Sequence, residues 1–146
     1  MNNESTRVAI WKAFKILLVV VLAAFVVLSI YMVWRVRRNA DKVLREAKNV
    51  RMALSSADVE MYALGKTIYN PHRKNGLEDG VKEKVDSLVE SKGTYSVTSY
   101  NSTEHELTGM TYREGNYIVY FSRNGDDISW NVNMIINVYH YDESEK

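Results

Sequence analysis

Cysteine is absent from the chain, which excludes disulfide staples, thiol catalysis and cysteine-based zinc sites. The redox compartment stays open, because cytosolic and exported proteins of this size both manage without the residue. Proline occurs once, at Pro71. Charge of one sign is also lacking: the formal net charge is +1, so no global field gathers nucleic acid or an acidic substrate. A length of 146 residues admits one small domain with an appendage and excludes a large multidomain enzyme. There are no internal repeats and no low-complexity tracts.

What the chain does have is one long uncharged run. Ile16 to Trp34 is 19 residues without Asp, Glu, Lys or Arg. As a helix rising about 1.5 Å per residue it nearly matches a hydrocarbon core roughly 30 Å thick. Tyr31 and Trp34 stand at its carboxyl end, where amphipathic rings favour an interface. Lys12 and Lys15 flank one end, and Arg35, Arg37 and Arg38 flank the other, with stems long enough to reach headgroups. A core helix of this length would carry polar residues along one face. A cleaved signal peptide would have an apolar stretch of about 7–15 residues and a small-residue cleavage site, whereas this run ends Tyr-Met-Val-Trp-Arg. The expectation is a retained, single membrane span over 16–34, preceded by a short polar tail over 1–15. Lys and Arg number three before the span (Arg7, Lys12, Lys15) and seven within residues 35–51. Read alone, that count puts the carboxyl domain in the cytoplasm. The same residues also solubilise a helix leaving a bilayer, so counting does not fix the topology.

Beyond the span, apolar residues keep a 4-3 spacing: Val36, Ala40, Val43, Ala47, Val50, Leu54, Ala57, Met61 and Leu64. This predicts an amphipathic helix over 35–64, continuous with the span and stopped by Gly65. Ala at three of the nine positions makes a weak coiled-coil seam and suits a helix lying closely on a sheet. Val43, Ala47, Val50, Leu54, Ala57 and Met61 are the expected helix–sheet packing residues. Residues 65–93 read as a turn-rich loop followed by a short helix carrying Val81, Val85, Leu88 and Val89, ended by Gly93. From Thr94 the period falls to two. Runs beginning at Tyr95, Glu106 and Tyr117, a hairpin turn at Arg123-Asn-Gly-Asp126, and a fourth run from Ile128 to Val138 predict an antiparallel sheet over 94–141. In the fourth run Ile128, Trp130, Val132, Met134, Ile136 and Val138 share one face. Residues 142–146 form a tail. The fold class expected is α+β, a long amino-terminal helix packed on a four-stranded antiparallel meander covered on one face.

A long helix, half apolar and half amphipathic, followed by a loop and such a meander, resembles the type IV pilins and pseudopilins. The stretches Val81-Lys-Glu-Lys-Val-Asp-Ser-Leu-Val-Glu-Ser-Lys-Gly93 and Leu107-Thr-Gly-Met-Thr-Tyr-Arg-Glu-Gly-Asn-Tyr-Ile-Val-Tyr120 resemble the carboxyl half of pilin-like proteins from Gram-positive anaerobes. Pilins carry a Gly-Phe processing site and a Glu early in the mature helix. The corresponding residues here read Val8-Ala-Ile-Trp-Lys-Ala-Phe-Lys15 and hold neither, so no functional residue is carried over. The resemblance implies a structural or assembly protein at the cell membrane, with an extracytoplasmic sheet domain and like subunits or a pilus- or secretion-type assembly as partners.

The residues themselves point to no catalysis, and no cofactor or small-molecule substrate is evident. His72, His105 and His140 lack partners at metal-binding spacing. Glu83, Asp86 and Glu90 share a helix face with Lys82 and Lys84 nearby, a solvated pattern and not a tuned acid–base pair. Gly109, Gly115 and Gly125 stand alone at turns with no following helix to cradle phosphate. The basic run from Arg35 to Arg51 suits anionic lipid headgroups, at about 1 kcal/mol per residue, but has no interleaved aromatics for nucleic acid. Residues 75–146 carry 13 acids against 6 bases, which predicts a sheet domain that repels polyanions. Tyrosine, with seven of its ten copies after residue 94, is expected on the wet face or a contact surface. The leading alternative is a single-pass sensor or scaffold with a dimeric coiled-coil stalk and a cytoplasmic carboxyl domain.

Overall fold

The computed structural model describes residues 3–135, with side chains at 7, 8 and 10–135. Helix α1 spans Asn3–Ala63, α2 spans Val81–Leu88, and strands β1 (Thr94–Asn101), β2 (Glu106–Glu114), β3 (Tyr117–Asn124) and β4 (Asp127–Met134) follow. All neighbouring strands pair antiparallel in the order β1-β2-β3-β4. The architecture is the α+β layout expected, one long amino-terminal helix packed on an open four-stranded sheet. By internal contacts the chain divides into two units, Met1–Asn39 and Ala40–Lys146.

In the first unit the helix is already formed at Asn3, so the segment expected as a polar tail is helical over its described part. Arg7–Lys15 contains neither Gly nor Pro, and extending an existing helix adds a hydrogen bond for each residue fixed. The helix is unbroken at Arg35. The stretch from Ile16 to Trp34 is exposed throughout, and α1 is long and apolar enough to cross a membrane. Ser29 directs its hydroxyl to the Phe25 carbonyl at 2.8 Å, so it asks nothing of its surroundings.

In the second unit α1 buries one stripe. Val43, Ala47, Val50, Leu54 and Ala57 are buried, and Met61 is half-buried beside them. Ala53 and Leu44 join from the flank. Opposite lie Tyr95, Val97, Leu107, Met110, Tyr112, Val119 and Phe121 from the inner sheet face. The ends of the 4-3 stripe are not covered: Val36 is 40% and Leu64 71% exposed. Helix α1 closes with the hydrogen-bond pair of a Schellman cap, Gly65 N–H to the Tyr62 carbonyl and Lys66 N–H to the Met61 carbonyl, both at 2.9 Å. Gly65 supplies the positive φ this cap requires.

Three details differ from the periodicity. Helix α2 stops at Leu88, which is 53% exposed, and Val89 is extended. The chain must then bring Gly93 against the Tyr112 ring, where a Cβ would sit 2.5 Å from ring carbon. The last hairpin turns on Gly125-Asp126, since Asn124 pairs with Asp127. Gly125 has φ +59°, and glycine first in a two-residue turn is a hairpin preference. Strand β4 is covered only in part: Trp130 and Val132 touch the core, while Ile128 and Met134 are about half exposed. A helix about 10–12 Å wide cannot shade four strands set roughly 4.8 Å apart. Ile68, Leu77, Val81 and Val85 join the same core beside the α1 stripe. Ile136 and Val138, with the tail 142–146, lie outside the described residues.

Leu54→Ala is expected to cost about 3 kcal/mol and to lower the melting temperature by roughly 15 °C. Met52→Ala, on the exposed side of the same helix turn, should stay within about 2 °C. Calorimetry on the two variants measures the contrast. Val50→Asp should open the sheet to limited proteolysis.

Candidate functional site

Of the residues expected at a membrane interface, Tyr31, Trp34, Arg35, Arg37 and Arg38 gather on adjoining turns of α1, while Lys12 and Lys15 precede the uncharged run. Tyr31 and Trp34, one turn apart, bring their ring centroids to 6.3 Å. The Arg38 guanidinium, one turn further on, lies over the Trp34 ring at 5.1 Å. Lys12, Lys15, Arg35 and Arg37 are exposed. A tryptophan held between a second ring and a guanidinium has one apolar body and one charged rim, which suits a boundary between two phases.

In the second unit the charged groups that matter are those tying helices to the sheet. Asp58 follows Ala57 on the buried stripe and is itself 6% exposed. It accepts the Tyr100 hydroxyl at 2.8 and 3.1 Å on its two oxygens. Glu46, three turns earlier, faces the Tyr112 hydroxyl at 3.2 Å, which also reaches Glu114 at 3.0 Å. Lys42 stands 3.8 Å from Glu46 and 4.0 Å from Glu114. Helix α2 repeats the device, with Tyr95 donating to Asp86 at 2.7 Å and Lys84 paired with Glu60 of α1. Three tyrosines thus reach across from the sheet to three carboxylates. From the sequence, tyrosine is expected on the wet face or a contact surface, and these pairs are not foreseen. The available signal is that Tyr95 and Tyr112 share the inward parity of Val97 and Met110.

These contacts shift protonation. Burial pushes the Asp58 carboxyl above its ordinary value, opposed by the Tyr100 hydroxyl and by His105. Tyr100 is pushed up to about 12, by burial first and then by Asp58. Burial and neighbouring carboxylates likewise raise Tyr95 and Tyr112. Asp86 falls below the usual carboxylate range, because Lys82 and Tyr95 outweigh its partial burial.

Beside Asp58 a cavity of about 440 Å³ opens between α1 and the strand ends. Arg51, Arg123, Glu104, Glu106, Asp126 and His105 line it. Within it Arg123 pairs with Glu106, and Arg51 lies 4.8 Å over the Phe121 ring. His105 has φ +51° in the β1–β2 turn and packs tilted against Tyr62, ring centroids 4.3 Å apart. His72 is exposed in the loop, and His140 lies outside the described residues. Glu83 and Asp86 lie on α2, but Glu90 follows its end. Among the described residues no group of three or more His, Asp and Glu side chains is placed to hold a metal ion.

Neither a family model, nor a curated protein, nor a solved structure matches the chain.

Asp58 binds its proton more tightly folded than unfolded, so its contribution to stability falls as pH rises through and above the carboxylate range. Asp58→Asn removes that fall. The difference in melting temperature between variant and parent should therefore move in favour of the variant between about pH 3 and pH 7. Tyr100→Phe takes a donor from the charged form and should cost about 1.5–3 kcal/mol at neutral pH, less in acid. Melting curves across this range test both signs.

Proposed function

We propose that the chain is a membrane-anchored structural or interaction subunit of the pilin-like class, not an enzyme. The observation that carries this reading is an exposed, uncharged helical stretch from Ile16 to Trp34 on the same helix whose later turns cover the sheet. Thirteen of its residues are Val, Leu, Ile or Phe, worth roughly −4 to −8 kcal/mol toward bilayer insertion. The Tyr31, Trp34 and Arg38 collar supplies the interfacial stop. The sheet domain then stands beyond the bilayer, on the extracytoplasmic side in this reading. On α1, Met52, Val59 and Tyr62 are 58%, 71% and 57% exposed, a second apolar face open to like subunits. The stalk alternative needs Val43, Val50 and Leu54 as a self-pairing seam, and those side chains are under the sheet. Two of the basic residues that favour a cytoplasmic domain have packing roles: Lys48 lies 5.7 Å over Trp130 and Arg51 covers Phe121.

The full chain should remain in the membrane pellet after alkaline carbonate washing, while Leu22→Arg with Val26→Arg should release it, each charge costing about 2.5–3.5 kcal/mol at the bilayer centre. In membranes, Met52→Cys or Val59→Cys should cross-link copies under mild oxidation, and the buried Ala47→Cys should not. Release of the parent chain by carbonate removes the anchor. A folded, membrane-bound protein that yields no adducts at either exposed position removes the assembly role. Protease added to intact cells reports the side occupied by the sheet.

A further inference from the structure

We infer that the outer face of the sheet carries a binding groove for an anionic oligosaccharide, a function separate from anchoring and assembly. The groove has a volume of about 770 Å³ and lies on the side of the sheet away from α1. Its floor is two cross-strand rows, Ser96–Thr111–Tyr120 and Thr94–Arg113–Ile118, each crossing β1, β2 and β3 in register. The Ser96 and Thr111 hydroxyls hydrogen-bond each other at 2.6 Å, and Tyr120 is 41% exposed. One wall is the loop carrying Arg73, Lys74 and Asn75, with Lys82 of α2 beside it.

The wall is fixed to the floor by backbone. Val97 N–H donates to the Asn75 carbonyl at 2.9 Å. Gly76 lies so close to β1 that a Cβ there would stand 2.0 Å from the Val97 carbonyl oxygen. A groove built this way keeps its shape before any ligand arrives.

Its charge is the deciding observation. Four cations line the groove and no carboxylate does, although residues 73–146 carry 13 acids against 8 bases. The acidic excess expected to repel polyanions is therefore not evenly spread. Arg73 and Lys82 are steadied by Asp79 and Asp86, both outside the lining. Lys74 and Arg113 have no side-chain partner among the described residues. Unpaired cations over a floor of hydroxyls, with one aromatic ring, match a chain of sugar rings bearing occasional anionic groups. Nucleic acid would want successive rings for stacking and would carry its dense charge onto the surrounding acids. An extended acidic peptide would seek free backbone groups, but β2 is paired on both sides and the loop already takes the Val97 N–H on the outer edge of β1.

The test uses the full chain in detergent micelles, titrated by calorimetry with tetragalacturonate, a sulfated chondroitin tetrasaccharide, neutral maltotetraose and tetraglutamate. At least one anionic tetrasaccharide should bind, more weakly as salt is raised, with maltotetraose and tetraglutamate at least about tenfold weaker. Lys74→Glu and Arg113→Glu should each weaken binding by about tenfold, since a like charge replaces an attracting one. Lys92→Glu, outside the groove, should not. Lys74 is an exposed loop residue, so its reversal stays informative even if the Arg113 variant misfolds. The proposal is overturned if neither anionic tetrasaccharide binds, if tetraglutamate binds equally well, or if Lys74→Glu binds as the parent does.

Discussion

The second unit depends on one apolar contact, the stripe from Val43 to Ala57 lying against the inner face of the sheet. Neither side is stable in water alone. Without the helix, Met110, Tyr112, Val119 and Phe121 would face solvent, and a single sheet with one bare apolar face has no core. Without the sheet, the stripe would be a seam too rich in alanine to pair tightly with a copy of itself. Ala47, Ala53 and Ala57 are suited to this role because their small side chains let the helix axis approach the strands. Leu54 and Val50 then fill the remaining depth.

Apolar contact sets proximity but not alignment. Alignment comes from tyrosine hydroxyls that meet carboxylates at defined points, Tyr100 with Asp58, Tyr112 with Glu46 and Tyr95 with Asp86. A helix slid by one turn along the sheet would leave Asp58 buried without a donor, which costs more than the hydrogen bond itself contributes. Such polar contacts penalise wrong registers more than they strengthen the right one.

The elements with a strong local period were legible in the amino-acid order. The stripe on α1, the alternation at Tyr95 and Val97 and the Gly115 turn all express rules acting over two to four residues. Ala53 and Leu44 lie beside the stripe and enter the core because a flat sheet touches more of a helix than a narrow seam does. The tyrosine–carboxylate pairs were not legible, because Tyr100 and Asp58 are 42 residues apart and Tyr112 and Glu46 are 66 apart. The cationic groove was hidden for the same reason. Arg73 and Lys74 come from a loop, Lys82 from α2 and Arg113 from β2, and a charge sum over 75–146 leaves out the first two and averages the others among acids. The end of α2 was misplaced because Val89 suits a helix face by spacing, while the close seat of Gly93 on Tyr112 is a tertiary demand.

Burial is divided unevenly along α1. The first buried side chain is Val43, and the unit boundary falls between Asn39 and Ala40. Every buried side chain among the described residues therefore belongs to the second unit. A fragment beginning at Ala40 would carry that whole interior with it.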